Sequence, residues 1–83
     1  MTSREAKLTK ALLDVLHNLD GGQAGEITLH AEVNLSVECG AVEFAAVLRL
    51  GCDRKWINAV PSRITGKPKY NLTDAGTAAR LEF

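Results

Sequence analysis

At 83 residues the chain has room for one core and no second, and its 46% hydrophobic and 24% charged content is an ordinary globular mix rather than a disordered one. Ten Lys and Arg balance ten Asp and Glu, so the molecule as a whole exerts little pull on nucleic acid or anionic lipid. No apolar stretch approaches bilayer length and no signal-peptide pattern opens the sequence, so we expect a single cytoplasmic domain over 1–83 without membrane contact.

The first element is an amphipathic helix over 3–19. Leu8, Leu12, Val15, Leu16 and Leu19 recur at steps of three and four and share one stripe. Thr2 and Glu5 have the spacing of a capping box, and Asp20-Gly21-Gly22 supplies a stop. From Ile27 the period changes: Ile27, Leu29, Ala31, Val33, Leu35 and Val37 alternate with polar residues over 27–38, as on a strand with one buried face. A second reading makes 26–28 a short strand and 29–35 a helical turn or two capped by Thr28. Alternation favours the strand, the rest of the chain favours the helix, and both stay open here.

Cys39-Gly40 breaks the alternation. Residues 41–50 are nearly all apolar and rich in Ala and Leu, which predicts a buried helix with its stop at Gly51. Trp56, Ile57, Val60 and Ile64 then form a β-prone run interrupted by Pro61, which confines it to an edge or a bulge. Thr65-Gly66-Lys67-Pro68 signals the turn, 69–72 the return strand, and Thr73 caps a closing helix over about 74–81.

This order, and above all the phrase Tyr70-Asn71-Leu72-Thr73-Asp74-Ala75-Gly76, resembles a winged helix-turn-helix domain of bacterial type, whose last strand and helix often carry Y-x-L-T-x-x-G. The resemblance implies an α+β fold of three helices, a small antiparallel sheet and a C-terminal hairpin wing. Tyr70 and Leu72 would face inward, with Thr73 as cap and Gly76 as the point of close packing. It extends to Leu35-Ser36 as the helix-turn junction, 41–50 as the third helix and Trp56-Ile57 as the start of the wing. The stretch from Leu35 to Ile57 is longer than usual, and if 27–37 is a strand the helix-turn-helix is lost.

In such domains the third helix enters the major groove and the wing touches the backbone or minor groove. Between Glu38 and Leu50 the sequence offers one cation, Arg49, against Glu38 and Glu43, so its reading helix is poorly equipped for base edges. The charge is elsewhere: residues 1–53 hold four cations and eight acids, net −4, whereas 54–83 hold six and two, net +4. Arg54, Lys55, Arg63, Lys67 and Lys69 fall within sixteen residues free of acid. With Arg49 they are the candidate nucleic-acid contacts, neutralising phosphates with little sequence preference. The same cations would also protect exposed strand edges of a hydrated hairpin. Trp56 and Tyr70 read as packing residues before base-stacking ones.

Cys39 and Cys52 lie 13 apart with no CxxC, and His17 and His30 fit no zinc spacing, so we expect free thiols and no metal or cofactor. Gly21-Gly22 and Gly25 follow a helix rather than a strand and make no phosphate loop, and a Cys39–His30 nucleophilic pair lacks an orienting third group, so no enzyme is expected. The expectation is a small regulator or accessory factor that binds double-stranded DNA through its wing, pairing as a homodimer through the apolar stripe of its first helix. The alternative is a protein-interaction module, an adaptor or inhibitor, that uses the acidic, apolar first half and binds no DNA.

Overall fold

The computed structural model describes residues 2–64 and 66–83. Thr65, expected in the hairpin turn, lies outside them. Helix α1 spans Ser3–His17, and the Thr2 hydroxyl caps it by accepting from the Glu5 N–H at 3.1 Å. Leu8, Leu12 and Leu16 fall on successive turns and are buried with Leu13, which lies beside the expected stripe. Thr9 is buried too, and its hydroxyl donates to the Glu5 carbonyl at 2.7 Å, so this hydroxyl is not stranded. Leu8, Leu12 and Leu16 of the stripe are taken up by the core, whereas Val15 and Leu19 are half-buried beside a groove between α1 and α2. The helix stops two residues early, at Asn18, whose N–H and side-chain amide both donate to the Asp14 carbonyl. Gly21 and Gly22, at φ of 81° and 78°, then turn the chain into β1, Gln23–Gly25.

Residues 26–34 form a helix, not a strand: α2 spans Glu26–Asn34, beginning after Gly25 rather than at Thr28. The reason the alternation misleads is geometric. Positions two apart on an α-helix sit about 200° apart, so an alternating apolar pattern covers both sides. Leu29 and Val33 turn inward and are fully buried, whereas Ile27 and Leu35, just beyond the helix end, are 76% and 81% exposed. The helix-turn-helix therefore survives, and the fold has four helices rather than three.

Helix α3, Ala41–Asp53, runs past the expected stop. Gly51 does not end it; a Cβ there would stand 2.5 Å from Ile57 Cδ1, so the glycine admits that side chain against the helix. The true end is a Schellman turn, with the Trp56 N–H donating to the Gly51 carbonyl and the Lys55 N–H to the Cys52 carbonyl. Lys55 takes the left-handed position at φ 66°, where glycine is usual.

Strands β2, Ile57–Val60, and β3, Lys69–Leu72, form an antiparallel hairpin, and β3 also pairs with β1, giving the order β1-β3-β2. Ile57 lies opposite Leu72 and Val60 opposite Lys69. Pro61 falls just beyond an edge strand, where a missing N–H costs no ladder bond. Ile64, grouped with the strand residues in the sequence, sits instead in a turn at 96% exposure. Helix α4, Asp74–Arg80, is capped as expected: the Thr73 hydroxyl accepts from the Gly76 N–H at 3.0 Å. The Thr73 N–H donates to the Trp56 carbonyl, tying α4 to the end of α3. Gly76 lies so close to the Trp56 carbonyl that a Cβ would collide with it. At the far end of α4, Arg80 reaches Asp14 of α1 at 3.1 Å. Leucines of α1, Leu29 and Val33 of α2, Phe44, Val47 and Leu48 of α3, Ile57 and Ala79 make one apolar cluster. Among the described residues no helix is long and apolar enough to cross a membrane.

Two substitutions test these close approaches by urea or thermal unfolding. Gly76→Ala lowers stability by about 1–3 kcal/mol, because the carbonyl it meets is backbone and cannot swing aside; an unchanged midpoint contradicts the packing. Lys55→Gly raises stability by about 0.5–1 kcal/mol, the relief of a left-handed side chain less the added freedom of the unfolded chain; a loss contradicts the Schellman geometry.

Candidate nucleic-acid interface

The connection from α2 to α3 is short and held by side chains. His30 and Asn34 lie one turn apart on α2 and both reach the Cys39 peptide. Asn34 Oδ1 accepts from the Cys39 N–H at 2.8 Å, and His30 Nε2 donates to the Cys39 carbonyl at 2.8 Å. A carbonyl only accepts, so this contact places the ring proton on Nε2. The imidazole also stacks on Phe44, with centroids 4.8 Å apart and planes at 19°. Both backbone polar groups of Cys39, two residues before α3, are thus taken by α2, which sets the angle at which α3 leaves the turn. The Cys39 thiol contacts Asn34 Oδ1 at 3.5 Å, and burial pushes its pKa up. Cys52 is likewise free, with its pKa raised by burial. Among the described residues no three His, Cys, Asp or Glu gather as a metal site.

Glu43, read in the sequence as a charge that would repel phosphates, is already engaged. Arg4 Nε and a terminal guanidinium nitrogen meet its two carboxylate oxygens at 2.6 and 2.8 Å, and a guanidinium N–H also donates to the Glu38 carbonyl at 2.8 Å. The Arg4 hydrogen bond, more than its charge alone, holds the Glu43 carboxyl below the usual carboxylate range. The start of α1 is therefore clamped onto the first turn of α3. No local sequence pattern announces a pairing across 39 positions.

The six candidate cations divide. Arg49 stands on the solvent side of α3 and, with Ala45, lines a cleft of about 270 Å³ whose other walls include Glu26, Ala59 and Tyr70. A neighbouring cleft of about 340 Å³ is lined by Glu26, Ile27, Thr28, Lys67, Pro68 and Tyr70. The two share Glu26 and Tyr70 in their walls and together are termed the trough, with Arg49 on one cleft and Lys67 on the other. Tyr70, half-buried as expected for a packing residue, lines both; burial first, then the nearby Glu26 charge, pushes the phenol above its ordinary range. Lys69, the next residue along the strand, borders a separate hollow with Gln23, Val60, Pro61 and Ser62. Arg63 is exposed in the hairpin loop. Arg54 and Lys55 sit at the other end of β2, about 10 Å from the loop by the rise of the strand. Arg54 lies 5.9 Å from the Trp56 ring, which also meets Phe83 edge-on, so Trp56 is a packing residue. A run contiguous in sequence thus becomes separate groups in space. Sequence reasoning missed Glu26 in the trough and the His30–Asn34 hold, whose i, i+4 spacing is visible only once residues 26–34 are known to be helical.

No protein-family model and no curated protein sequence matches the chain. Among solved structures, SSV1 F-93 superposes with a TM-score of 0.74 at 16% identity, covering 90% of this chain and 79% of that one. A transcriptional regulator from Clostridium thermocellum, Cth-833, superposes with a TM-score of 0.80 at 11% identity, over 99% and 82% of the two chains. At these identities the likeness is one of fold, and it agrees with the element order and strand pairing: the chain has the α+β, winged-helix architecture that the Tyr70–Gly76 phrase suggested.

Proposed function

We propose that the protein is a small DNA-binding regulator, with α3 presented to the major groove and the hairpin to the phosphate backbone. The observation that carries this reading is the pair of clefts that share Glu26 and Tyr70, one bordered by Arg49 on α3 and the other by Lys67 on the hairpin. It sets a solvent-facing helix beside a cationic arm, the arrangement a duplex fits. One structural neighbour, Cth-833, is a transcriptional regulator, which points the same way. The Arg4 clamp supports it further, because it removes the negative charge that the first turn of α3 would otherwise bring to the backbone. Arg63, Lys67 and Lys69 are assigned to phosphates together with Arg49, whereas Arg54 and Lys55, at the opposite end of the hairpin, are not. Such contacts release counterions and position the protein without reading sequence. Glu26 lines both clefts, so a carboxylate accompanies each of Arg49 and Lys67 there.

A second reading follows from Ile27 and Leu35, both strongly exposed, the first at the start of α2 and the second just past its end. On that reading the scaffold carries a protein contact and the hairpin cations only keep the strand edges soluble.

Binding to duplex DNA titrated across salt separates the two. The regulator reading predicts that log K falls linearly with log salt, with about 0.9 of slope for each phosphate contacted, and that Lys67→Glu with Lys69→Glu removes about two units of that slope. Flat affinity, or no change on reversing those charges, rejects it. The Arg4 clamp makes a further prediction: Arg4→Met frees the Glu43 charge and weakens DNA binding severalfold, and adding Glu43→Gln restores most of the loss. If the double variant binds no better than Arg4→Met, Arg4 acts some other way.

A further inference from the structure

Ile64 is 96% exposed, more than any other large apolar residue described, and it directly follows Arg63 in the hairpin loop. Arg63 has no hydrogen-bond or ion-pair partner among the described residues. A lone exposed isoleucine needs no explanation by itself. What gives this one meaning is a cleft elsewhere on the same molecule that matches it. Ala46, Val47 and Leu50 of α3 supply apolar walls to a hollow of about 500 Å³, and Glu5, Glu43, Arg49 and Asp53 stand around it. Arg4 already takes Glu43. Of the others, Glu5 accepts only from the Thr2 hydroxyl and no described cation pairs with Asp53, so two carboxylates without an ion pair stand against one guanidinium, Arg49. The cleft is apolar inside and acidic at its edge, whereas the loop is apolar at its tip and cationic beside it.

The same partition runs through the whole chain. Residues 54–73 carry five cations and no acid, and the remainder carries five cations and ten acids, so a hairpin of +5 belongs to a body of −5. Within one copy the loop and the cleft do not meet, because β2 carries the loop away from the end of α3 where Asp53 stands. We propose that they meet between copies: Ile64 of one molecule enters the cleft beside α3 of a second, with Arg63 against Asp53 and Glu5. The contact joins unlike surfaces, so it runs head to tail, and one copy can give its loop to one neighbour and its cleft to another. A single loop in a single cleft is a small interface, which makes the association weak and reversible. It does not depend on whether the protein binds DNA.

Sedimentation of the full chain without DNA, up to about 1 mM, tests it. Mass should rise with concentration and fall back as salt is added. Arg63→Glu with Ile64→Ser disables the loop, and Asp53→Lys disables the cleft. All three positions are exposed, and a cation suits the negative end of α3, so both variants stay folded. Each variant alone should remain monomeric, whereas an equal mixture should form pairs and stop there, because only one intact loop meets one intact cleft. A wild-type chain that is monomeric throughout overturns the proposal. So does association that either variant retains, which puts the contact on another surface, and so does a mixture that fails to pair.

Discussion

Leu8, Leu12, Leu13 and Leu16 make one side of α1 the surface on which α2, α3 and α4 pack, and everything presented to solvent is placed relative to that surface. Burying four leucines contributes roughly 1.5–3 kcal/mol each, more than any polar contact in the molecule supplies. Apolar contact has little direction, however, and would allow α3 a range of angles. Polar contacts remove that freedom: the His30 and Asn34 hold on the Cys39 peptide at the turn, and the two-pronged Arg4–Glu43 pair at the start of α3. The division of labour is common in small cores, where burial supplies stability and a few satisfied polar groups supply uniqueness.

What is legible in the sequence is what depends on local rules. Thr2 and Thr73 cap helices because their hydroxyls sit three residues ahead of an amide that needs an acceptor. Gly76 marks close packing because no other residue fits against the Trp56 carbonyl. The hairpin and the closing helix follow from the same kind of pattern. Residues 26–34 do not, because period-two alternation and a helix that is apolar on both sides give the same string of letters, and only tertiary contact with α1 decides between them. Gly51 misleads for a related reason: glycine ends a helix through its backbone but can equally serve inside one by making room for Ile57. The candidate site is half legible. Its cations stand out in the sequence, yet strand alternation and the length of the hairpin distribute them over different surfaces, and Arg4, which pairs with the acid in the first turn of α3, comes from the opposite end of the chain.

With zero net charge and its hairpin cations spread over separate surfaces, the protein exerts no long-range pull, and the proposed attraction to a polyanion is short-ranged. The acidic first half, net −4, is turned partly inward on itself through Arg4–Glu43 and Arg80–Asp14, the second of which draws a cation from the basic half. The surface proposed to meet a duplex is the trough between α3 and the hairpin, with Arg49 and Lys67 on its two clefts and Glu26 on both.

The central claim is that this trough, and not the apolar outer side of α2, is the surface that meets a partner. Backbone amide shifts recorded as duplex DNA is added test it residue by residue. The account predicts saturable changes at 42–49 and at 63–69, with α4 and the outer side of α1 unmoved. Changes centred on Leu35 and the α1–α2 groove, or none at low salt, would contradict it.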